Sequence, residues 1–390
     1  GGSWRLSQKR FLHHGVEAPD LSWILPLRLK YYDGEQVRTI SVLLDQQSMQ
    51  VDLGENVVWV LPNEQARGYY RWNVSAQAMH LIAATATEFL TARERAAFLG
   101  NAAALLDNGT ISGAEYLRLL ASFADDPEAE VVSSLISGIA RIKMALITKD
   151  QREPFAAYMR KTLGPALLRF GLEKRDGEAD AVGLFRPRLM SYLGDEGRVP
   201  EVRQAARRLT DAYLADSSSV DPSLASVGLQ LAALDGGEEL FEIYRERFEK
   251  TQVPIERSRL LAALASFSAA PLQDRALAYV LEGPLRPNEL FTIPQTLADS
   301  PEERDRVFDW LTENYAEITG RIPPVYKSFM PFLGGGCSEA RLEAARIFFA
   351  KPENQAQGIA ETLERVTDQV NDCVNLRRRE GASVAEFFAE

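Results

Sequence analysis

Side chains able to do acid–base, metal or phosphate chemistry are few in this chain, and their spacing limits them further. There are three histidines in 390 residues. His13 and His14 are adjacent and lie in a stretch that reads as a β-loop. A helical zinc motif needs its two histidines at i and i+4, so that both imidazoles face one ion. His80 stands among Ala, Met and Leu and reads as a helix surface or core residue. Neither a histidine-based zinc site nor a Ser-His-Asp triad has the material it needs.

Two further stretches imitate ion-binding loops. Gly109-Thr110-Ile111-Ser112, with Glu115 following, resembles the tail of a calcium loop. The positions five and three residues before Gly109 would have to be acidic, and they are Ala104 and Leu106. A turn followed by a capping box accounts for the same residues. Gly334-Gly335-Gly336 precedes a helical segment, as a phosphate loop would, but lacks the Lys-Ser/Thr pair and the leading strand. It reads as a turn between helices. Two basic clusters remain, Arg203 with Arg207 and Arg208, and Arg377-Arg378-Arg379. Both read as solvated faces or as cations meeting a helix dipole, the functional alternative being a groove that attracts a peptide carboxylate. No residue is therefore assigned a catalytic, cofactor-binding or metal-binding role.

The remaining composition describes the scaffold. The chain has 44 basic and 55 acidic residues, a formal net charge of −11, which argues against nucleic acid or an anionic membrane as the main partner. No apolar run approaches the roughly 20 residues that span a bilayer. A hydrophobic content of 46% and a charged content of 25% are those of a soluble globular protein. A chain of this length predicts two or more domains. Cys337 and Cys373 cannot build a disulfide framework or a four-thiolate site. A single bridge between them is left open, with two separate thiols the favoured reading. Gly1-Gly2-Ser3 reads as a linker or cloning scar. Trp4 then enters a strand-like run at once, which predicts a piece of a longer protein. The compartment is left open.

Periodicity divides the chain. Residues 4–74 read as strands, over Trp23–Tyr32, Val37–Leu44, Met49–Leu53 and Val57–Leu61, with Asp33-Gly34 as a tight hairpin turn. This predicts a small β-sandwich domain. Residues 75–390 read as helix after helix, joined by short Gly-, Pro- or Asp-bearing loops. The later segments include 301–318, 339–349 and a final long helix over about 354–378. Roughly 35–45 residues per helix pair suggests an irregular α-solenoid of the HEAT or armadillo sort, whose concave face is the expected binding surface. The fold class is mainly α with a small N-terminal β-sandwich.

Several phrases then carry a family resemblance. Gln8-Lys9-Arg10-Phe11-Leu12, Trp23-Ile24-Leu25-Pro26-Leu27, and Asn63 with Gly68-Tyr69-Tyr70-Arg71 resemble the third domain of the aminopeptidase N family of zinc peptidases. Arg95 and Leu99 through Gly109-Thr110-Ile111-Ser112, Trp310-Leu311 with Asn314-Tyr315, and Phe348-Phe349 are similar to the helical C-terminal domain of the same family, as in the endoplasmic-reticulum and puromycin-sensitive aminopeptidases. The resemblance runs from about residue 4 to about residue 380. Trp72-Asn73-Val74 departs from it, since the family often ends this strand in Tyr. The family's His-Glu-x-x-His motif and its Gly-x-Met-Glu-Asn loop are absent.

The resemblance implies the non-catalytic C-terminal region of an enzyme that removes N-terminal residues from peptides. This region would wall the substrate chamber, with zinc held in a missing catalytic domain and this chain inactive alone. The implied partners are the missing N-terminal and catalytic domains of the same polypeptide and a peptide substrate. The alternative is a free-standing α-solenoid adaptor that binds a partner protein.

Overall fold

A computed structural model describes residues 2–19 and 21–390. Of the Gly1-Gly2-Ser3 start, Gly1 lies outside the described residues, while the Gly2 carbonyl accepts the Leu53 N–H at 2.9 Å. The fold is mainly α, with a small sheet region at the N-terminus. By its contacts the chain forms two compact units. The first comprises residues 2–171, Asp20 excepted, together with 379–390, and the second residues 172–378.

The first unit opens with five strands, β1 (Ser3–Ser7), β2 (Leu25–Tyr32), β3 (Val37–Leu44), β4 (Ser48–Asp52) and β5 (Trp59–Leu61). β1 pairs antiparallel with β4, Trp4 opposite Val51. β2 lies between β3 and β5, with Leu29 opposite Ile40 and Tyr31 opposite Val60. The β2–β3 hairpin closes at Asp33-Gly34 as expected. Gly34 takes φ +92° at the first central position, as a type II′ turn requires. Asp33 Oδ1 accepts the N–H groups of Glu35 and Gln36 at 3.0 and 2.8 Å. These bonds, with the Arg38 guanidinium on the other oxygen, hold the Asp33 carboxyl down at about 2.

Alternation along β2 gives it two jobs. Leu27, Leu29 and Tyr31 enter a small core with Leu44, Val51, Leu53 and Val60. Arg28, Lys30 and Tyr32 point the other way. There they meet α2 (Ala86–Phe89), α3 (Ala92–Asp107) and the turn that precedes α1 (Ala76–Ala84). Tyr32 stacks on Phe89 with ring centroids 4.7 Å apart, and Arg28 pairs with Glu64 at 2.9 Å. Lys30 Nζ lies 2.9 Å from Glu94 Oε2. Glu94 closes a capping box with Thr91 and also accepts the Gln65 N–H at 2.8 Å. Burial opposes its charge, but the Gln65 amide, the Lys30 ammonium and the Thr91 amide prevail and keep its carboxyl below the usual range.

The unit continues through α4 (Gly113–Ala121), α5 (Ala129–Leu146) and α6 (Arg152–Phe170). A buried, two-pronged bond from Arg95 to Asp126, 2.6 and 3.0 Å, ties α3 to the α4–α5 connection.

The second unit holds α7 (Asp180–Gly194), α8 (Pro200–Ala215), α9 (Pro222–Leu234), α10 (Glu238–Lys250), α11 (Pro254–Leu264), α12 (Ala270–Glu282), α13 (Thr292–Ala298), α14 (Arg304–Glu313), α15 (Tyr315–Arg321) and α16 (Glu339–Ala350). α17 (Ile359–Ala389) begins in this unit, and its last residues count with the first. α9 packs on both α7 and α8, and α11 on α9, α10 and α13. A core cluster runs from Tyr213 on α8 to Ile359 on α17. Arg257 and Glu289 form a buried pair within it, with Nε–Oε1 and Nη2–Oε2 both 2.7 Å.

Three features differ from the sequence expectation. The single helix expected over 301–318 is two, because Asn314 leaves helical geometry (φ −108°, ψ 15°) and turns its Nδ2 back to the Trp310 carbonyl at 2.8 Å. The last helix does not stop at the Arg377–Arg379 run. Residues 380–389 continue it because they find partners: Glu380 Oε2 accepts the buried Gly113 N–H at 2.8 Å, Ser383 Oγ the Ala114 N–H at 3.0 Å, and Phe388 packs edge-on to Phe155 and Tyr158. Cys337 and Cys373 are bridged, with Cα atoms 5.2 Å apart. The bridge stands beside a cluster of Leu342 with Val366, Val370 and Val374, whose helical spacing lays one face of α17 against α16. Among the described residues no helix is long and apolar enough to cross a membrane.

Candidate functional site

The residues singled out for chemistry are separated by the fold and engaged in structural contacts. His80 on α1 places Nε2 2.7 Å from Glu115 Oε1 on α4. Glu115 therefore does not complete the expected capping box. Ser112 Oγ still accepts the Glu115 N–H at 3.2 Å, but the carboxylate turns to the histidine. His14 lies against Gly109, where a β-carbon would stand 2.8 Å from its Nδ1. Gly109 also needs φ +77°, so glycine is required there twice over. Among the described residues, no three His, Cys, Asp or Glu side chains are grouped to hold a metal ion.

The basic clusters, Arg208 excepted, are likewise engaged. Arg203 bonds Asp235 and the Gly194 carbonyl, both at 2.7 Å, and Arg207 lies 3.4 Å from the same Asp235. Arg377 donates to the Cys337 carbonyl at 3.0 Å, Arg378 pairs with Glu339 at 2.7 Å, and Arg379 bonds Glu380 and the Leu106 carbonyl. The triple-glycine turn receives Arg341, whose Nε and Nη2 bond the Gly335 carbonyl at 3.0 and 2.8 Å.

The phrases that carry the family resemblance fasten segments together. Gln8 donates Nε2 to the Trp23 and Gln46 carbonyls at 2.8 and 2.9 Å and accepts the Trp23 N–H at 2.8 Å. Asn63 exchanges two bonds with the Gly68 backbone, 2.9 and 2.8 Å, which closes a loop with Gln65 and Ala66 at positive φ. Gly68 has no alternative, since a β-carbon would stand 2.0 Å from the Tyr70 ring. Tyr315 Oη reaches the Asn354 carbonyl at 3.1 Å.

A groove of about 690 Å³ lies along α12 and α14 in the second unit. Helical spacing brings Leu277 and Leu281 from one side and Trp310 from the other into its lining. Carboxylates rim it. Arg306 compensates Asp274 at 3.1 Å and Asp305 pairs with Arg341, whereas Glu282, Asp309 and Glu313 make no ion pair among the described residues. Sequence reasoning missed this groove because its residues come from two helices about 30 positions apart, and each helix reads as an ordinary amphipathic one. It has no nucleophile beside a base. Its chemistry is that of binding: an apolar floor for side chains and a negative rim that favours cationic ones.

A family model described as ERAP1-like C-terminal domain matches residues 59–372. Among curated proteins, the chain is 22% identical to the alanine/arginine aminopeptidase of Saccharomyces cerevisiae over 99% of its own length and 45% of that protein. It is 23% identical to the glutamyl aminopeptidase of Mus musculus over its whole length and 42% of that protein. Against the mitochondrial aminopeptidase 2 of S. cerevisiae the figures are 20% identity over 84% of the chain and 35% of the relative. The chain thus spans less than half the length of these relatives.

Proposed function

Because the chain belongs to the ERAP1-like C-terminal domain family, we propose that it is the non-catalytic C-terminal region of a zinc metallo-aminopeptidase that removes N-terminal residues from peptides. The family match, over a chain spanning only 35–45% of three aminopeptidase relatives, is the observation that carries this reading. Residues 4–74 act as a β-sandwich domain and residues 75–390 as a solenoid-like helical domain. The helical part walls the substrate chamber and takes part in peptide access and length selection. The α12–α14 groove suits such a role through its apolar floor and acidic rim.

This chain's own residues do not fit the zinc. The three histidines are spread over a β-loop and α1, and His80 is held by a single carboxylate. The ion belongs in the domains that precede this region in the polypeptide. Trp23, Ile24, Val58 and Tyr69 stand exposed on the first unit and suit a surface that those domains cover.

The test is hydrolysis of fluorogenic aminoacyl substrates by the purified chain with zinc supplied, alongside its metal content by mass spectrometry. The whole polypeptide is then compared with a form ending before this region, on short and long peptides. The expected results are no turnover and no stoichiometric zinc for the chain alone, and a changed length preference for the shortened form. Turnover with bound zinc would overturn the proposal. A natural reading frame with no zinc motif upstream would favour the adaptor instead.

A further inference from the structure

Three arginines far apart in sequence converge on the turn Gly335-Gly336-Cys337. Arg341, on α16, is buried. Besides its two bonds to the Gly335 carbonyl it pairs through Nη1 with Asp305. Arg304, the first residue of α14, lies against the same turn. A β-carbon at Gly336 would stand 2.6 Å from Arg341 Nη2 and 3.2 Å from Arg304 Nη1, so the two guanidinium groups flank one glycine. Arg377 closes the group from α17 through its bond to the Cys337 carbonyl.

The charges here are unevenly met. Asp305 answers Arg341, and Glu339 is taken by Arg378. Arg304 makes no hydrogen bond or ion pair among the described residues, and its Nε is buried with no acceptor. The carboxylate acting on it is Asp299, which does not bond it. Burial, and then the Arg341 charge, pulls the Arg304 guanidinium below its ordinary range, and the same two causes act on Arg377. A half-sheltered cation beside a second cation, with no carboxylate bonded to it, is an arrangement that folding alone does not favour. The amides of Gly336 and Cys337 also donate no hydrogen bond among the described residues.

We propose that the Gly336 turn is a binding site for a small oxyanion, a carboxylate or a phosphate, held between the guanidinium groups of Arg304 and Arg341 with Arg377 at its edge. Planar guanidinium forks suit either group. Glycine at 336, with φ +107°, lets both arginines pack against the turn, where a β-carbon would collide with them. This site is independent of the aminopeptidase reading, since it needs only residues of the second unit.

The test is isothermal titration of the whole chain, at fixed ionic strength in chloride, with inorganic phosphate, with N-acetylglycine and with neutral N-acetylglycinamide. Saturable binding of phosphate or of N-acetylglycine, absent for the amide, is expected. Phosphate alone would identify a phosphate ligand and N-acetylglycine alone a carboxylate one. Arg304→Gln is expected to weaken that binding by at least about tenfold. In chloride alone it should melt no lower than the parent chain, because it removes an unmatched charge, whereas a merely structural arginine would lower the melting temperature. If this variant does not fold, Arg304→Lys, which keeps the charge but loses the fork, is titrated in its place and is expected to bind severalfold more weakly. No saturable binding by either anion, or binding that the Arg304 variant leaves unchanged, would overturn the proposal.

Discussion

Replacing Glu289 by alanine strands Arg257 inside the second unit. The Arg257 and Glu289 side chains are 4% and 9% exposed. Glu289 supplies both acceptors for the guanidinium at 2.7 Å and also takes the Arg286 N–H at 2.8 Å. Removing one partner of a buried ion pair costs about 3–5 kcal/mol, because the remaining charge stays desolvated. Here Arg257 retains the Phe248 and Pro284 carbonyls at 3.2 and 3.1 Å and the Phe248 ring at 3.9 Å, which places the loss near the lower end. In a unit of about 200 residues, 3 kcal/mol corresponds to a fall of roughly 6–12 °C in the melting temperature. Differential scanning calorimetry of Glu289→Ala measures it. The paired replacement Arg257→Met with Glu289→Leu removes both charges and fills their space, so it should recover most of the loss. A single variant that loses under about 1 kcal/mol, or a paired variant no better than the single, would refute the argument that the stranded charge sets the cost.

Three other outcomes are expected. Reducing the Cys337–Cys373 bridge, which closes 36 residues of sequence, should remove about 4 kcal/mol in the chain-entropy account and lower the melting temperature in dithiothreitol; an unchanged transition would argue against it. The Glu94 carboxyl is held below its ordinary value. Its stabilisation is therefore complete above the unfolded value of about 4.3 and is lost as the pH falls through the lower folded value. Melting curves of Glu94→Gln across that range should show a lower plateau near neutrality and a shallower acid limb, and a curve parallel to that of the parent chain would count against this assignment. Gly109→Ala forces a side chain to φ +77° and towards His14, and a urea titration should show a loss above about 1 kcal/mol.

What the sequence conveys well is local. Alternation in Val37–Leu44 sets Arg38, Ile40, Val42 and Leu44 on one face, of which the three apolar residues join the core and Arg38 stays exposed, and Asp33-Gly34 specifies its own turn, because both signals lie within a few residues. The break at Asn314 is harder, since a helix that pauses for one residue keeps its apolar spacing on both sides. The continuation of α17 past Arg379 was hidden for a different reason. Arginines at a helix end and arginines within a helix look alike until the partners of Glu380 and Ser383 are known. The disulfide and the Arg304–Arg341 pair depend on contacts 36 and 37 positions apart, for which one sequence carries no signal. For the histidines and the glycine-rich turn, spacing excludes the common motifs but carries no sign of what His80 or Gly336 contacts.

The bond from Glu380 to the Gly113 amide joins residues 267 positions apart. A ribosome adding about 5–20 residues per second would need tens of seconds to travel from one to the other. Throughout that interval the start of α4 has no carboxylate to cap it, and Phe155 and Tyr158 have no Phe388 to cover them. The first unit to emerge is thus among the last to be finished, while the whole second unit can form in between. A nascent chain stalled between residues 158 and 388 would carry an unclosed apolar seam, which is the kind of surface that chaperones recognise.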